Sequence, residues 1–282
     1  MIFDTHAHLN FPDYEDDRDD IIKKTLKEGV FMINVGTDFK ESEKVIEIAK
    51  KYKRGVYASI GLHPLHIKDE VFSFEKYKKM AEDNKEKVVA IGETGLDKHG
   101  DNLEEQKKVF LEHIKLAEEL QLPLIIHCRK EHNEVISILA NYYPVILSDS
   151  EESLEHPQDC RNDGGVSKFH PKGVIHCFTG NITQAREYID MGFYLGFNGI
   201  IFKINLKKII KKVPLEKILL ETDCPFLTPP DMGTERNEPI FTKEVAKEIA
   251  KIKEISVGEV IKVTTDNALK LFKVYKTTYP SF

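Results

Sequence analysis

Four cysteines in 282 residues, with no Cys-X-X-Cys pair among them, give no disulfide framework and no cysteine-based zinc module. Thiols this sparse are expected to stay reduced in a cytosol-like compartment. No run is long and apolar enough to span a bilayer. The start of the chain is acidic by Asp4 and has neither a basic n-region nor a long apolar stretch, so no secretory signal is expected. The location read from these absences is cytoplasmic, with no membrane partner and no obligate protein partner. An excess of positive charge is missing too: 41 Lys and Arg against 47 Asp and Glu leave a net charge of −6. A non-specific duplex binder is usually basic. Any dealings with nucleic acid must therefore depend on local attraction, from bound metal and a few Lys or Arg at one cleft. No internal repeat is evident.

What the chain does have is alternation. Strand patterns fall at 2–5, 31–35, 56–60, 88–92, 124–127, 174–177, 193–197 and 218–222, and amphipathic or charged helical stretches such as 14–28, 41–51, 74–84 and 103–120 lie between most of them. Eight strands separated by helices imply parallel pairing, and the count predicts a closed (β/α)8 TIM barrel of the α/β class. A single barrel-sized domain over 1–282 is expected, with the helical stretch from Lys243 onward packed outside the barrel. One segment breaks the rhythm. Residues 148–171 carry six acidic and two basic residues and few large apolar ones. They read as a mobile acidic insertion on the face away from the βα loops, with His156 and His170 not ligands.

His6-Ala7-His8 stands at the end of the first strand. Side chains at i and i+2 of a strand share a face, so this pair offers two converging nitrogens to a metal ion. Other metal-binding residue types recur where later strands end: Glu93, His127, His176 and Asp223. A (β/α)8 barrel gathers the C-terminal ends of its strands into one site. Four His and two carboxylates suit two borderline divalent ions better than one, and a carboxylate such as Glu93 can bridge them.

With these residues in place, the chain resembles the TatD family of metal-dependent deoxyribonucleases, within the amidohydrolase-type barrels. The matching segments are DTHAHLN (4–10), IGLHP (60–64), IGETGLD (91–97), LIIHCR (124–129), VIHCFTG (174–180), ETDCPFLTP (221–229) and RNEP (236–239), in family order over nearly the whole chain. The resemblance implies the barrel, a divalent-metal site and hydrolysis of DNA phosphodiester bonds, often as a 3′-5′ exonuclease on single strands or 3′ ends. It implies that His6, His8, Glu93 and Asp223 hold one ion and Glu93, His127 and His176 a second, the ions being Mg, Mn or Zn. It gives Asp223 and Glu93 catalytic roles in two-metal activation of water, with Asp223 accepting the water's proton. Two dications against Glu93 and Asp223 leave a formal +2 in the cleft, which offsets the acidic global charge locally. Lys98 and His99 stand where the family usually has an aromatic residue, and Cys224 where it often has Ser.

Around this set, His63 is a candidate phosphate contact or acid, or a structural residue of the turn at Pro64. Arg129 and Arg236 are candidate phosphate binders, since a guanidinium fork suits that geometry. Glu221 reads as a buried carboxylate orienting a ligand His, and Asp97 as another or as a turn cap. Cys128, Cys177 and Cys224 each follow an expected ligand, and strand alternation turns them away from the ions as small buried residues. His66, His113 and His132 read as surface or helix residues. Two other readings share the metal chemistry: an amidohydrolase-type enzyme, disfavoured because Glu93 stands where many such sites have a modified Lys, and hydrolysis of aminoacyl-tRNA esters. A non-catalytic barrel is a third reading, disfavoured because all six ligand candidates are present.

Overall fold

The structure, a computed structural model, describes residues 1–142 and 172–274; the acidic stretch at 148–171 lies outside the described residues. Eight parallel strands follow one another in chain order round a single sheet: β1 (Ile2–Ala7), β2 (Val30–Val35), β3 (Val56–Ile60), β4 (Val88–Asp97), β5 (Leu124–Arg129), β6 (Gly173–Ile175), β7 (Tyr194–Phe197) and β8 (Ile218–Leu220). The ring is closed just past β8, where Ala7 bridges Cys224, Asp223 N–H donates to the His6 carbonyl at 2.8 Å, and His8 N–H donates to the Cys224 carbonyl at 2.9 Å. The last contact that completes the barrel thus involves the turn that carries Asp223.

The connecting helices are α1 (Arg18–Lys27), α2 (Phe39–Lys50), α3 (Phe74–Asp83), α4 (Leu103–Leu120), α5 (His132–Tyr142), α6 (Ile182–Asp190), α7 (Lys207–Lys212), α8 (Thr242–Lys253) and α9 (Val257–Leu271). Their starts carry the residues that satisfy orphan amides: Asp38, Asn102, Asn181 and Ser256 each accept a backbone N–H of the first turn. The outward strand residues, such as Met32, Ala58, Leu124, Ile175 and Leu220, pack with the helices in one large apolar cluster. A second cluster takes Phe3, Ile33, Val89, Ile125, Val174, Tyr194 and Leu219 from seven strands, with Tyr57 of β3 packed against it; residues from all eight strands meet only in the barrel interior. Both C-terminal helices lie outside the barrel, and the end of α9 adds Leu271 and Phe272 to the interior cluster, with Phe272 stacked on Phe3 at 6.5 Å. This filled layer near the strand starts leaves the opposite mouth to polar residues.

Two strands are irregular where the polar residues begin. From Asp4 to Ala7, β1 advances three residues while β2 advances two, and from Ile91 to Thr94 β4 advances three while β5 advances two. Each is a bulge that re-aims a side chain. Residue 93 is therefore not the last residue of a strand ending near 92. Strand β4 runs on to Asp97, and Glu93 sits in its bulge.

Candidate metal centre

His6 lies in the bulge of β1 and His8 one residue beyond its end; simple alternation does not hold across the bulge, yet the two Nε2 atoms converge to 3.0 Å. His8 Nδ1 is 2.9 Å from the Val35 carbonyl. That contact fixes the proton on Nδ1 and leaves the Nε2 lone pair facing inward. His127 comes from β5, His176 follows the end of β6, and Asp223 sits three residues past β8 in a left-handed conformation (φ 57°). His6 and His176 stack at 3.6 Å.

Glu93 stands between the two groups. Its Oε2 is 3.3 Å from His6 Nε2 and 3.7 Å from His8 Nε2, while its Oε1 is 2.8 Å from His127 Nδ1, 3.5 Å from His63 Nε2 and 3.9 Å from His176 Nε2. Asp223 Oδ1 closes the first group at 3.5 Å from His8 and 3.8 Å from His6, and is 3.7 Å from His176. Ligands about 2.1 Å from a common ion lie roughly 3 Å or a little more from one another, so these spacings suit imidazole and carboxylate ligands of a divalent metal. The donor set of imidazole and carboxylate suits borderline ions such as Zn or Mn better than the harder Mg, which prefers oxygen ligands. His6 Nδ1 is buried without a hydrogen-bond partner among the described residues.

Behind the cluster, Glu221 Oε1 lies 2.9 Å from His176 Nδ1 and accepts from Cys177 N–H and Asn198 Nδ2. Asp97 Oδ2 lies 3.0 Å from His127 Nε2, and its other oxygen accepts from His99 N–H. Each carboxylate holds one imidazole in a set orientation. The charges respond to one another. Burial pushes Glu93 up, but the imidazoles of His63 and His6 and the hydrogen bonds from His127 and His6 outweigh it and leave the carboxyl well below its usual range. Asp223 is likewise lowered, burial being outweighed by His176 and His8. Burial alone would lower His176, yet Glu221 and Asp223 raise it to about 10. His63 goes the other way, to about 4, because burial dominates.

His63 is the residue whose position sequence left open. It is buried against His127, with Nε2 3.1 Å from His127 Nδ1, so it belongs with Glu93 and His127 as a third possible ligand atom near one ion position. Arg129 is exposed at the end of β5. Arg236 is committed elsewhere: both terminal nitrogens grip Asp17, at 2.6 and 3.0 Å, and the guanidinium lies over the Tyr14 ring. It braces the loop after β8 to the start of the first helix. Cys128 and Cys224 are buried as expected, but Cys177 is half-buried with its ligand atom near those of His176 and Asp223. The backbone at Cys177 turns left-handed (φ 46°), so strand alternation no longer applies. His113 and His132 are helix residues, of α4 and α5, and both are buried; His113 Nε2 accepts from Leu62 N–H beside His63.

Two residues escaped the sequence reading. Asp4 is fully buried, and its carboxyl accepts from the N–H groups of His6 and Thr222 and from the Thr222 hydroxyl. It ties the bulge carrying His6 to the turn carrying Asp223. Asn237 donates to the carbonyls of Thr222 and Phe226 and so holds the same turn from the other side. A carboxyl inside an apolar run, two residues before a His, was the available signal for Asp4.

A family model described as TatD related DNase matches residues 3–273. The chain is 39% identical over 280 residues to a protein of Bacillus subtilis named "Uncharacterized metal-dependent hydrolase YabD", covering 97% of this chain and 100% of that protein. It is 32% identical over 290 residues to human "Deoxyribonuclease TATDN3", covering 96% and 94%. Among solved structures, the TatD homolog YJJV from Escherichia coli superposes with a TM-score of 0.82 at 27% identity, covering 97% of this chain and 98% of that one.

Proposed function

This chain belongs to the TatD-related DNase family and is a metal-dependent hydrolase, and we propose that it hydrolyses DNA phosphodiester bonds as a 3′-5′ exonuclease, with two divalent ions. The observation that carries the two-ion reading is Glu93, whose two oxygens face different sets of imidazoles: Oε2 faces His6 and His8, and Oε1 faces His127, His63 and His176. One ion would be held by His6, His8, Glu93 and Asp223, the other by Glu93, His127 and His176; together they would supply Lewis acidity that makes water nucleophilic near neutral pH and balances charge on the phosphate.

The chain's own residues supply the rest. Asp223 has a side chain 16% exposed against 4% for Glu93, so it is the carboxylate open to the cleft and the base that takes the proton from the attacking water. Glu221 and Asp97 keep His176 and His127 turned toward Glu93. Exposed Arg129, next but one to His127, is the side chain that positions a substrate phosphate, and His63 completes the wall beside His127. Glu93, a plain carboxylate that would bridge the two ions, favours the TatD type over amidohydrolase-type sites that have a modified Lys there.

The test is a 5′-labelled single-stranded DNA oligonucleotide incubated with purified protein in Mg²⁺, Mn²⁺, Zn²⁺ or EDTA, beside Glu93→Ala. A ladder shortening from the 3′ end, lost in EDTA and reduced by about 10³-fold or more in Glu93→Ala, is expected. Folded, metal-loaded protein that cuts nothing with any ion would overturn the reading and direct attention to aminoacyl esters and amides.

A further inference from the structure

Among the described residues, five large apolar side chains are exposed: Leu65, Val71, Ile204, Phe226 and Val257. Four of these lie in connections that leave the C-terminal ends of strands, two after β3, one after β7 and one after β8. Phe226 is the aromatic member, 53% exposed and three residues from Asp223. Its backbone is fixed: the N–H donates to the Asp223 carbonyl at 3.0 Å, and its own carbonyl accepts from Asn237 Nδ2 at 2.6 Å. Its ring meets Phe11 edge to face at 6.1 Å, and Phe11 is stacked on the imidazole of His8 at 4.6 Å. An unbroken aromatic run, His8 to Phe11 to Phe226, thus leads from the metal centre to solvent. An aromatic ring held rigidly in water beside a reactive centre has lost contact area that a buried position would have given it.

We propose that Phe226 is a stacking platform for a nucleobase of the strand whose phosphate lies at the metal centre, and so selects an unpaired 3′ end. The proposal rests on the phosphodiesterase reading above. A base within a duplex has both faces covered by its neighbours, whereas a base in a single strand or frayed end presents one face to an aromatic ring. Stacking of this kind tolerates any base, because every base has a π-face, and it suits an enzyme that removes nucleotides without regard to sequence. The aromatic absent at Lys98, beyond β4, is thus matched by one on the opposite side of the mouth, beyond β8.

Wild type, Phe226→Ala and Phe226→Trp are compared on a single-stranded oligonucleotide and on the same oligonucleotide with its 3′-terminal bases replaced by abasic residues. Phe226→Ala is expected to raise KM about 10-fold or more on the normal strand while kcat changes little, with Phe226→Trp restoring it. The Ala penalty is expected to shrink to within about twofold on the abasic strand, as a double-mutant cycle requires of two groups that touch. An equal penalty on both strands, or none on either, overturns the proposal. A second readout separates its failure from that of the nuclease reading: quenching of 2-aminopurine placed at the 3′ end, measured on the Glu93→Ala background so that nothing is cut. Quenching that Phe226→Ala removes keeps the platform even if wild type cleaves no oligonucleotide; cleavage without Phe226-dependent quenching sinks the platform alone; neither cleavage nor binding sinks both.

Discussion

At the scale of single residues, the cluster is governed by what stands behind each imidazole. His176 has Glu221 at 2.9 Å, His127 has Asp97 at 3.0 Å and His8 has the Val35 carbonyl at 2.9 Å. A ring held on one nitrogen by a carboxylate or a carbonyl aims the other without an entropic loss when a metal arrives. Glu221→Gln keeps the shape and the contacts to Cys177 N–H and Asn198 but removes the charge facing His176. It is expected to weaken binding of the ion assigned to Glu93, His127 and His176 by about 10- to 100-fold while the fold survives. Metal titration followed by equilibrium dialysis and atomic spectroscopy checks this; unchanged affinity would mean that Glu221 serves only the backbone of Cys177. Arg236 teaches the opposite lesson about charged residues near a site. Its fork is filled by Asp17, so a guanidinium beside a family motif can be engaged by the protein itself.

At the scale of elements, two bulges and two glycines decide where the ligands point. In β4, Gly92 and Gly95 both have φ 141°, and a Cβ on either would collide with the carbonyl oxygen of Ile125 or His127 on β5. Glycine is needed there because β4 passes too close to β5 for a side chain. Gly95→Ala is expected to cost about 2 kcal/mol or more and to displace His127. Chemical denaturation gives the stability. Loss of one ion with the other retained would show that the damage is local to β4 and β5, whereas a stability change under about 0.5 kcal/mol would contradict the crowding argument.

At the scale of the molecule, titration opposes the metal. In the metal-free protein His176 is raised from 6.5 to about 10, so its contribution to stability is complete below about pH 6.5 and is lost as pH rises through 10. His63, His113 and His132 are each lowered to about 4 by burial, so they favour the fold above 6.5 and withdraw that support as pH falls from 6.5 toward 4. Glu93 and Asp223, both lowered, add to the acid limb only below their ordinary values. Melting temperature in EDTA is therefore expected to peak near pH 6.5 and fall on both sides. With Mn²⁺ present the alkaline fall should vanish, because the ion takes the place of the proton on His176, and calorimetry in buffers of different ionisation enthalpy should register proton release. An alkaline limb that persists with bound metal would mean His176 is not a ligand. The cleft's charge is also a property of the whole assembly. Two dications bound as proposed (+4) would face four carboxylates, Glu93, Asp223, Asp97 and Glu221 (−4), which would cancel the formal +2 expected from Glu93 and Asp223 alone. Attraction of phosphate then depends on exposed side chains such as Arg129.

The eight-strand alternation and the identities of His6, His8, Glu93, His127, His176 and Asp223 were legible along the chain, because hydrophobic period and residue chemistry are local properties. Helix α4 was read to the residue, since its caps and apolar face are both local. What only the tertiary structure decided is direction and neighbourhood. The bulge that sets Glu93 between two groups of imidazoles depends on register against β5, and the left-handed turn that brings Cys177 near His176 and Asp223 breaks the alternation on which its outward reading rested. Asp4 meets Thr222 across 218 residues, and Phe226 meets Phe11 across the closing seam of the barrel. Such contacts have no signature in sequence, because they exist only once the first and last strands close the ring.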